Sequence, residues 1–205
     1  MSNKKTTINK PNRKWCEWFL FITYSLNPNL MKHPIIIFAS LSFFLLSAFT
    51  VSNLYKIKTD AAKASFTIKN AGLKVKGSFT DMSGDINFDP NDLASSHIEA
   101  VVKASSIDTG IKLRDKDLRG NRFLGVEQYP EMRFQSSSIT KSDNAFILTG
   151  QLTIKDVSKT ISFPFTFENQ TFKGSFKLNR RDYHVGGKSW VTSDEVNVSL
   201  EVPVE

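Results

Sequence analysis

The chain has 205 residues and a formal net charge of +7, a length that accommodates one domain of roughly 150 residues plus a targeting segment. The charge is uneven: residues 1–52 carry six Lys/Arg and one acid, which is +5, whereas the remaining 153 carry 21 basic and 19 acidic side chains, which is +2. Outside the leader there is thus no basic balance to support nucleic-acid binding, and with the single cysteine at Cys16 there is neither a disulfide nor a thiolate metal site.

Residues 34–49 are sixteen residues without a charge, rich in Ile, Leu and Phe, and Lys32 stands just before them. A basic start, an apolar core and the small residues Ser47, Ala48, Thr50 and Ser52 at its end predict a signal peptide over 31–52, cleaved near 48–54. The run falls short of the ~20 apolar residues of a membrane span, and an uncleaved anchor is the alternative. Residues 1–30 read as an extension upstream of Met31-Lys32-His33, or as an interfacial element built on Trp15, Trp18, Phe19 and Phe21.

After residue 60 the pattern is strand-like almost throughout, because a half-buried strand alternates apolar and polar side chains. Ala64, Phe66 and Ile68 alternate with Ser65, Thr67 and Lys69; Leu73, Val75 and Phe79 follow, with Gly77 in the missing slot. Ile98, Ala100 and Val102 share a face, as do Met132 and Phe134. So do Phe146, Leu148, Leu152 and Ile154 around Gly150; Ile161, Phe163, Phe165 and Phe167; Phe172, Phe176 and Leu178; and Val196, Val198, Leu200 and Val202. Turn residues separate the runs at Asn70-Ala71-Gly72, Asp89-Pro90-Asn91, Ser142-Asp143-Asn144 and Glu168-Asn169-Gln170. Pro164 marks an edge or a bulge.

Residues 106–130 break the period. They predict one or two short helices, the first capped by Asp108 or Thr109, and an irregular cover over an opening. Many short strands with one apolar face make either a sandwich or a barrel, and a barrel of about eight strands is filled by side chains or holds one small ligand. Ten of the eleven Phe after the leader fall on inward positions. A packed core explains them. Glycines at the inward slots Gly77, Gly150 and Gly174, and the lack of convergent polar groups, favour a cavity for a chain-like hydrocarbon instead.

The chain resembles the YceI-like family of exported lipid-binding proteins over residues 57–205. The matching blocks are Ser65-Phe66 with Ile68, Gly77-Ser78-Phe79 with Gly84-Asp85-Ile86, Ser106-Ile107-Asp108-Thr109 with Arg114-Asp115 and Leu118, and Tyr129-Pro130 with Phe134. Gly150-Gln151-Leu152-Thr153-Ile154 with Val157 and Lys159, and Asn179-Arg180 with Asp182-Tyr183, complete the order. Lys63-Ala64, Asp117 and Asp156 depart from it where the family often has His-Ser, His and Gly.

The resemblance implies an all-β fold with a short helical insertion, an extended antiparallel lipocalin-like barrel of about eight strands. It also implies a polyisoprenoid or quinone-like lipid in the interior and a homodimer. The leader predicts a periplasmic or secreted location after cleavage, and transient membrane contact is expected. No other cofactor or metal is expected. The expected ligand-binding residues are Phe66, Phe79, Phe134, Phe146, Leu148, Phe163, Phe165, Phe176 and Trp190, with Trp190 packing the barrel end or lining its mouth.

Two rival functions remain. One is an envelope interaction domain with a filled core. The other is a lipid-modifying enzyme using Asp182, Tyr183 and His184, the one polar cluster worth testing. Arg114-Asp115 reads as a structural ion pair pinning the insertion to the rim. Arg180, Arg181 and Asp182 read as serving the opposite rim or a lipid headgroup. No nucleophile elbow, P-loop or dinucleotide fingerprint is present, so no catalytic residue is assigned.

Overall fold

The computed structural model describes residues 54–205, and the readings of the leader fall outside them. One curled antiparallel sheet of twelve strands dominates. Eight strands are long: β2 (Lys63–Asn70), β3 (Leu73–Phe79), β6 (His97–Lys103), β8 (Glu131–Ser142), β9 (Ala145–Ile154), β10 (Val157–Glu168), β11 (Thr171–Asn179) and β12 (Thr192–Pro203). Four are short: β1 (Leu54–Lys56), β4 (Met82–Ser83), β5 (Asp85–Asn87) and β7 (Ile107–Asp108). The order around the sheet is β1-β5-β6-β8-β9-β10-β11-β12-β2-β3-β7.

The short strands bring the two flanks of the sheet together. β1 pairs with β5, and Lys56 exchanges both backbone hydrogen bonds with Glu205, at 2.9 and 3.0 Å, so β1 bridges β5 and the chain end beyond β12. At the other end the chain leaving β3 forms β4 on β6, while the chain leaving β6 forms β7 on β3. These pairings cover edges that would otherwise recruit another strand. β4 and β5 keep a single register on β6, from Met82↔Val102 to Asn87↔His97. Gly84 interrupts it at φ 152°, where a Cβ would strike the Glu99 carbonyl oxygen.

The hairpin turns follow the residues that signalled them. Ala71 and Gly72 (φ 50° and 77°) and Asn169 and Gln170 (φ 51° and 54°) form two-residue connections whose twist suits antiparallel neighbours. Pro164 pairs with Ile147 on β9, but the ladder between β10 and β11 starts only at Phe165↔Gly174. Proline thus stands where β11 leaves β10, and the Phe163 and Phe176 rings, 4.8 Å apart, meet in place of the backbone bonds.

One end of the barrel, the tail, holds the chain terminus and the 88–96 loop. The other, the mouth, holds the β2–β3 and β9–β10 turns, residues 104–130 and residues 180–191. The irregular segment contains one α-helix, α1 (Lys112–Arg119), preceded by a 3₁₀ turn at Ala104–Ser106. Neither Asp108 nor Thr109 caps α1. Ile111 is its N-cap residue, Asp108 accepts from the Gly110 N–H at 2.8 Å, and Thr109 is engaged with Asp115.

The solid core is at the tail. Phe88 is fully buried and meets the rings of Phe146, Phe165, Phe167 and Phe172 with centroids 5.1–5.6 Å apart. Each such ring taken out of water stabilises the fold by about 1.5–3 kcal/mol.

Candidate functional site

Strand alternation carries the apolar face inward all the way round, but side chains fill only the tail half. From the mouth down to Ile57, Ile86, Phe172 and Val202 beside that tail core, the same face encloses a cavity of about 860 Å³, within the range of small-molecule sites. Its walls are apolar side chains of β2, β3, β6 and β8–β12. Phe66, Ile68, Phe134, Leu152, Phe176 and Val198 are only half-buried although they point inward, because they border open space.

Of the nine residues predicted to bind a ligand, Phe66, Phe79, Phe134, Leu148, Phe163, Phe165 and Phe176 line this cavity. Phe146 does not: its ring stacks on Phe165, 5.4 Å away, and belongs to the plug around Phe88. Trp190 neither packs the barrel end nor lines the bore. It is 94% exposed, its ring contacting Lys188 Nζ at 5.5 Å. The wall also uses aliphatic side chains such as Val75, Leu152, Ile161, Val196 and Val198, which alternation placed inward but which were not singled out beside the aromatics.

The inward glycines are not empty slots. The Phe66 ring occupies the space of a Cβ on Gly77, Phe134 Cζ lies 2.6 Å from such a Cβ on Gly150, and Phe163 Cε2 lies 3.1 Å from one on Gly174. Each ring is laid against the wall over a glycine. The open volume is along the axis, not at the glycines themselves.

The cover at the mouth is held by a set of polar bonds. Arg114 and Asp115 do not pair with each other. Both grip Thr109: Arg114 donates from Nε to Oγ1 and from Nη2 to the carbonyl, each at 2.8 Å, and the buried Asp115 carboxylate accepts from the Thr109 N–H at 2.9 Å and from its hydroxyl. Arg119 donates to the Ser105 and Ile107 carbonyls at 2.8 and 2.7 Å. Ala104, Ile107 and Leu124 pack beneath as a small second core.

Arg180 stands at this same end, not the opposite one, since the Gly186 N–H donates to the Arg122 carbonyl at 3.0 Å. Its guanidinium is buried and committed to the Val185, Gly187, Thr192 and Ser193 carbonyls and, at 2.8 Å, to Asp194. It is a structural pin rather than a headgroup contact. Arg114, Lys116, Asp117, Asn121 and Arg122 of the cover reach the cavity, and so do Asn70, Thr109, Arg180 and Thr192 at the same end.

Asp182, Tyr183 and His184 do not converge. Tyr183 is buried and lines the cavity, and burial, reinforced by the neighbouring Asp182 charge, raises its phenol above the ordinary value. Asp182 and His184 point outward to Lys159, at 3.4 Å, and Asp156, at 3.7 Å. Among the described residues no group of three or more His, Cys, Asp or Glu is placed to hold a metal.

A short antiparallel barrel with a plugged tail, a hollow apolar upper half and a strapped mouth defines a protein built to enclose an apolar molecule. The YceI-like domain model matches residues 55–204, and the chain belongs to that family. Protein YceI of Escherichia coli O157:H7 is 29% identical over 178 residues, covering 80% of this chain and 92% of that protein. A UPF0312 protein of Yersinia pestis is 29% identical over 161 residues, covering 72% and 84%. Among solved structures, Burkholderia cenocepacia BcnA superposes with a TM-score of 0.68 at 26% identity, covering 73% of this chain and 99% of that one. A polyisoprenoid binding domain from Saccharophagus degradans shares the fold with a TM-score of 0.59 at 15% identity, covering 74% and 97%.

Proposed function

We propose that this protein binds one long apolar lipid, a polyisoprenoid or quinone-like chain, in the bore, and carries or sequesters it outside the cytoplasm after loss of the leader over 31–52. The observation that carries this reading is the 860 Å³ cavity, walled mainly by apolar side chains, which runs down to Phe165 and Phe172 against the Phe88 core and has most of its polar lining at the mouth. Each CH₂ taken from water into such a bore contributes about 0.8 kcal/mol, so a long tail is held without a charged contact. The polyisoprenoid-binding relative of the same fold supports the choice of ligand class. A homodimer and contact with a membrane during loading belong to this reading.

No chemical step is part of it, because Asp182 and His184, the residues that would act with Tyr183, are turned to Lys159 and Asp156 instead. Native mass spectrometry of protein purified from its own host tests the proposal. A lipid-sized mass released on activation is expected. A bare chain in every preparation, together with a captured protein partner, would establish the interaction-domain reading instead.

A further inference from the structure

Six large apolar side chains stand exposed among the described residues, and five of them are at the mouth: Leu73, Ile111, Leu113, Trp190 and Val191. Their neighbours place them along one flank of the rim. The Val191 carbonyl accepts from the Ala71 N–H at 2.7 Å, which sets Trp190 and Val191 beside the turn that carries Leu73. On the far side of β3 lies β7, whose chain leads through Thr109 and Gly110 into Ile111 and α1. Single exposed apolar residues are ordinary, but a cluster of this kind marks an interaction surface.

The charge is polarised along the same axis. Residues 68–77, 104–130, 153–159 and 178–195, which form the mouth end, hold thirteen basic and eight acidic side chains, or +5; the rest of the described chain holds eight and eleven, or −3. Lys74, Lys112 and Lys188 are exposed neighbours in sequence of Leu73, Leu113 and Trp190.

We propose that this rim is a docking surface for an anionic lipid bilayer. Trp190, Leu73 and Leu113 enter the interfacial layer and the lysines lie over the headgroups. An amphipathic indole suits that depth, and basic residues gain from the negative surface potential. Among the described residues no helix is long and apolar enough to cross a membrane. The benefit of docking rests on the lipid-binding reading, because a mouth pressed to the bilayer gives an apolar chain a path that avoids water. The surface itself does not depend on that reading.

The apolar residues 34–49 of the full chain would bring it to vesicles by themselves, so the test must read the rim. The chain has three tryptophans, and Trp15→Phe with Trp18→Phe leaves Trp190 as the sole reporter. Vesicles of phosphatidylglycerol with acyl-brominated phosphatidylcholine are expected to shift Trp190 emission to the blue and quench it. Phosphatidylcholine vesicles alone, or high salt, should do so far less. Lys74→Ala should weaken the response about five-fold, whereas Lys173→Ala near the tail should leave it unchanged.

Unchanged Trp190 emission with anionic vesicles overturns the proposal. So does a shift that follows protein concentration without vesicles, which would make the rim an interface between copies. Native mass spectrometry of the same variants reads the bore separately. Retained lipid without a vesicle response sinks docking alone, and a vesicle response with an empty bore sinks only the lipid-binding reading.

Discussion

The phenyl ring of Phe66 on β2 lies over Gly77 on β3, its register partner, with Cζ inside the space a Cβ would occupy and Cε1 2.8 Å from that position. Thr109 Cγ2, from the strap at the mouth, comes within 2.9 Å of the same point. One missing methyl group therefore serves two ends: it flattens an aromatic ring against the wall, and it lets the cover sit down on β3.

The expected result of Gly77→Ala follows from that contact. The new methyl must push Phe66 toward the axis or lift Thr109, and overpacking of this kind costs about 1–3 kcal/mol. Equilibrium urea unfolding should show the loss, and lipid occupancy should fall with it because the displaced ring enters the bore. Gly77→Ala combined with Phe66→Leu should recover most of the stability. If the double variant is no better than the single one, the contact is not the cause.

Much of the wall could be read from residue alternation, and some of the site could not. Phe163, Phe165 and Phe167 were legible as one face of a strand because a two-residue period is a local property. Whether a ring plugs the barrel or lines a cavity is not local. Phe88 and Phe176 are the same residue type, yet Phe88 is driven among four rings by the 88–96 loop, while Phe176 faces open space. Trp190 misled for a related reason, since large aromatics are usually inside and nothing in its neighbours marks an exposed rim. The commitment of Arg180 to four carbonyls was hidden as well, because its partners lie five to thirteen residues away around a non-repeating segment.

The division of the barrel into a filled and a hollow half can be measured. Phe88→Ala removes a fully buried ring from the plug and should cost about 3–5 kcal/mol, the range for large cavities in a packed core. Phe176→Ala removes a half-buried ring that already borders the cavity and should cost clearly less. Val198→Trp adds bulk where the bore is open, and should abolish lipid retention while leaving the unfolding midpoint near that of the parent. Equal destabilisation by the two Phe variants, measured by urea titration, would contradict the division.

Closure of the sheet makes a separate prediction at Gly84. The residue has φ 152°, and a Cβ would meet the Glu99 carbonyl oxygen and stand 2.9 Å from the Ala100 Cα. Those are backbone atoms of β6, which cannot rotate away. Gly84→Ala combines conformational strain with a clash and should cost about 3 kcal/mol or more. Hydrogen exchange should locate the damage in β1, β5 and the end of β12, which close the tail, before the β8–β9 hairpin is affected. Uniform loss of protection would argue against a local closure.

Tyr183 supplies the pH dependence. Its phenol is raised above the usual value of ~10, first by burial and then by the Asp182 carboxylate beside it. In the interval above that value the folded protein keeps a proton that the unfolded chain has released. The contribution to stability is therefore complete below about pH 10 and is lost as the pH rises through the folded value. Tyr183→Phe keeps the buried ring and removes the titration. Unfolding midpoints measured from about pH 8 to about pH 11 should fall more steeply for the parent than for the variant, the gap opening only above about pH 10. Parallel curves would show that the hydroxyl is equally easy to ionise in both states and that the bore wall around it is wetter than the buried side chain indicates.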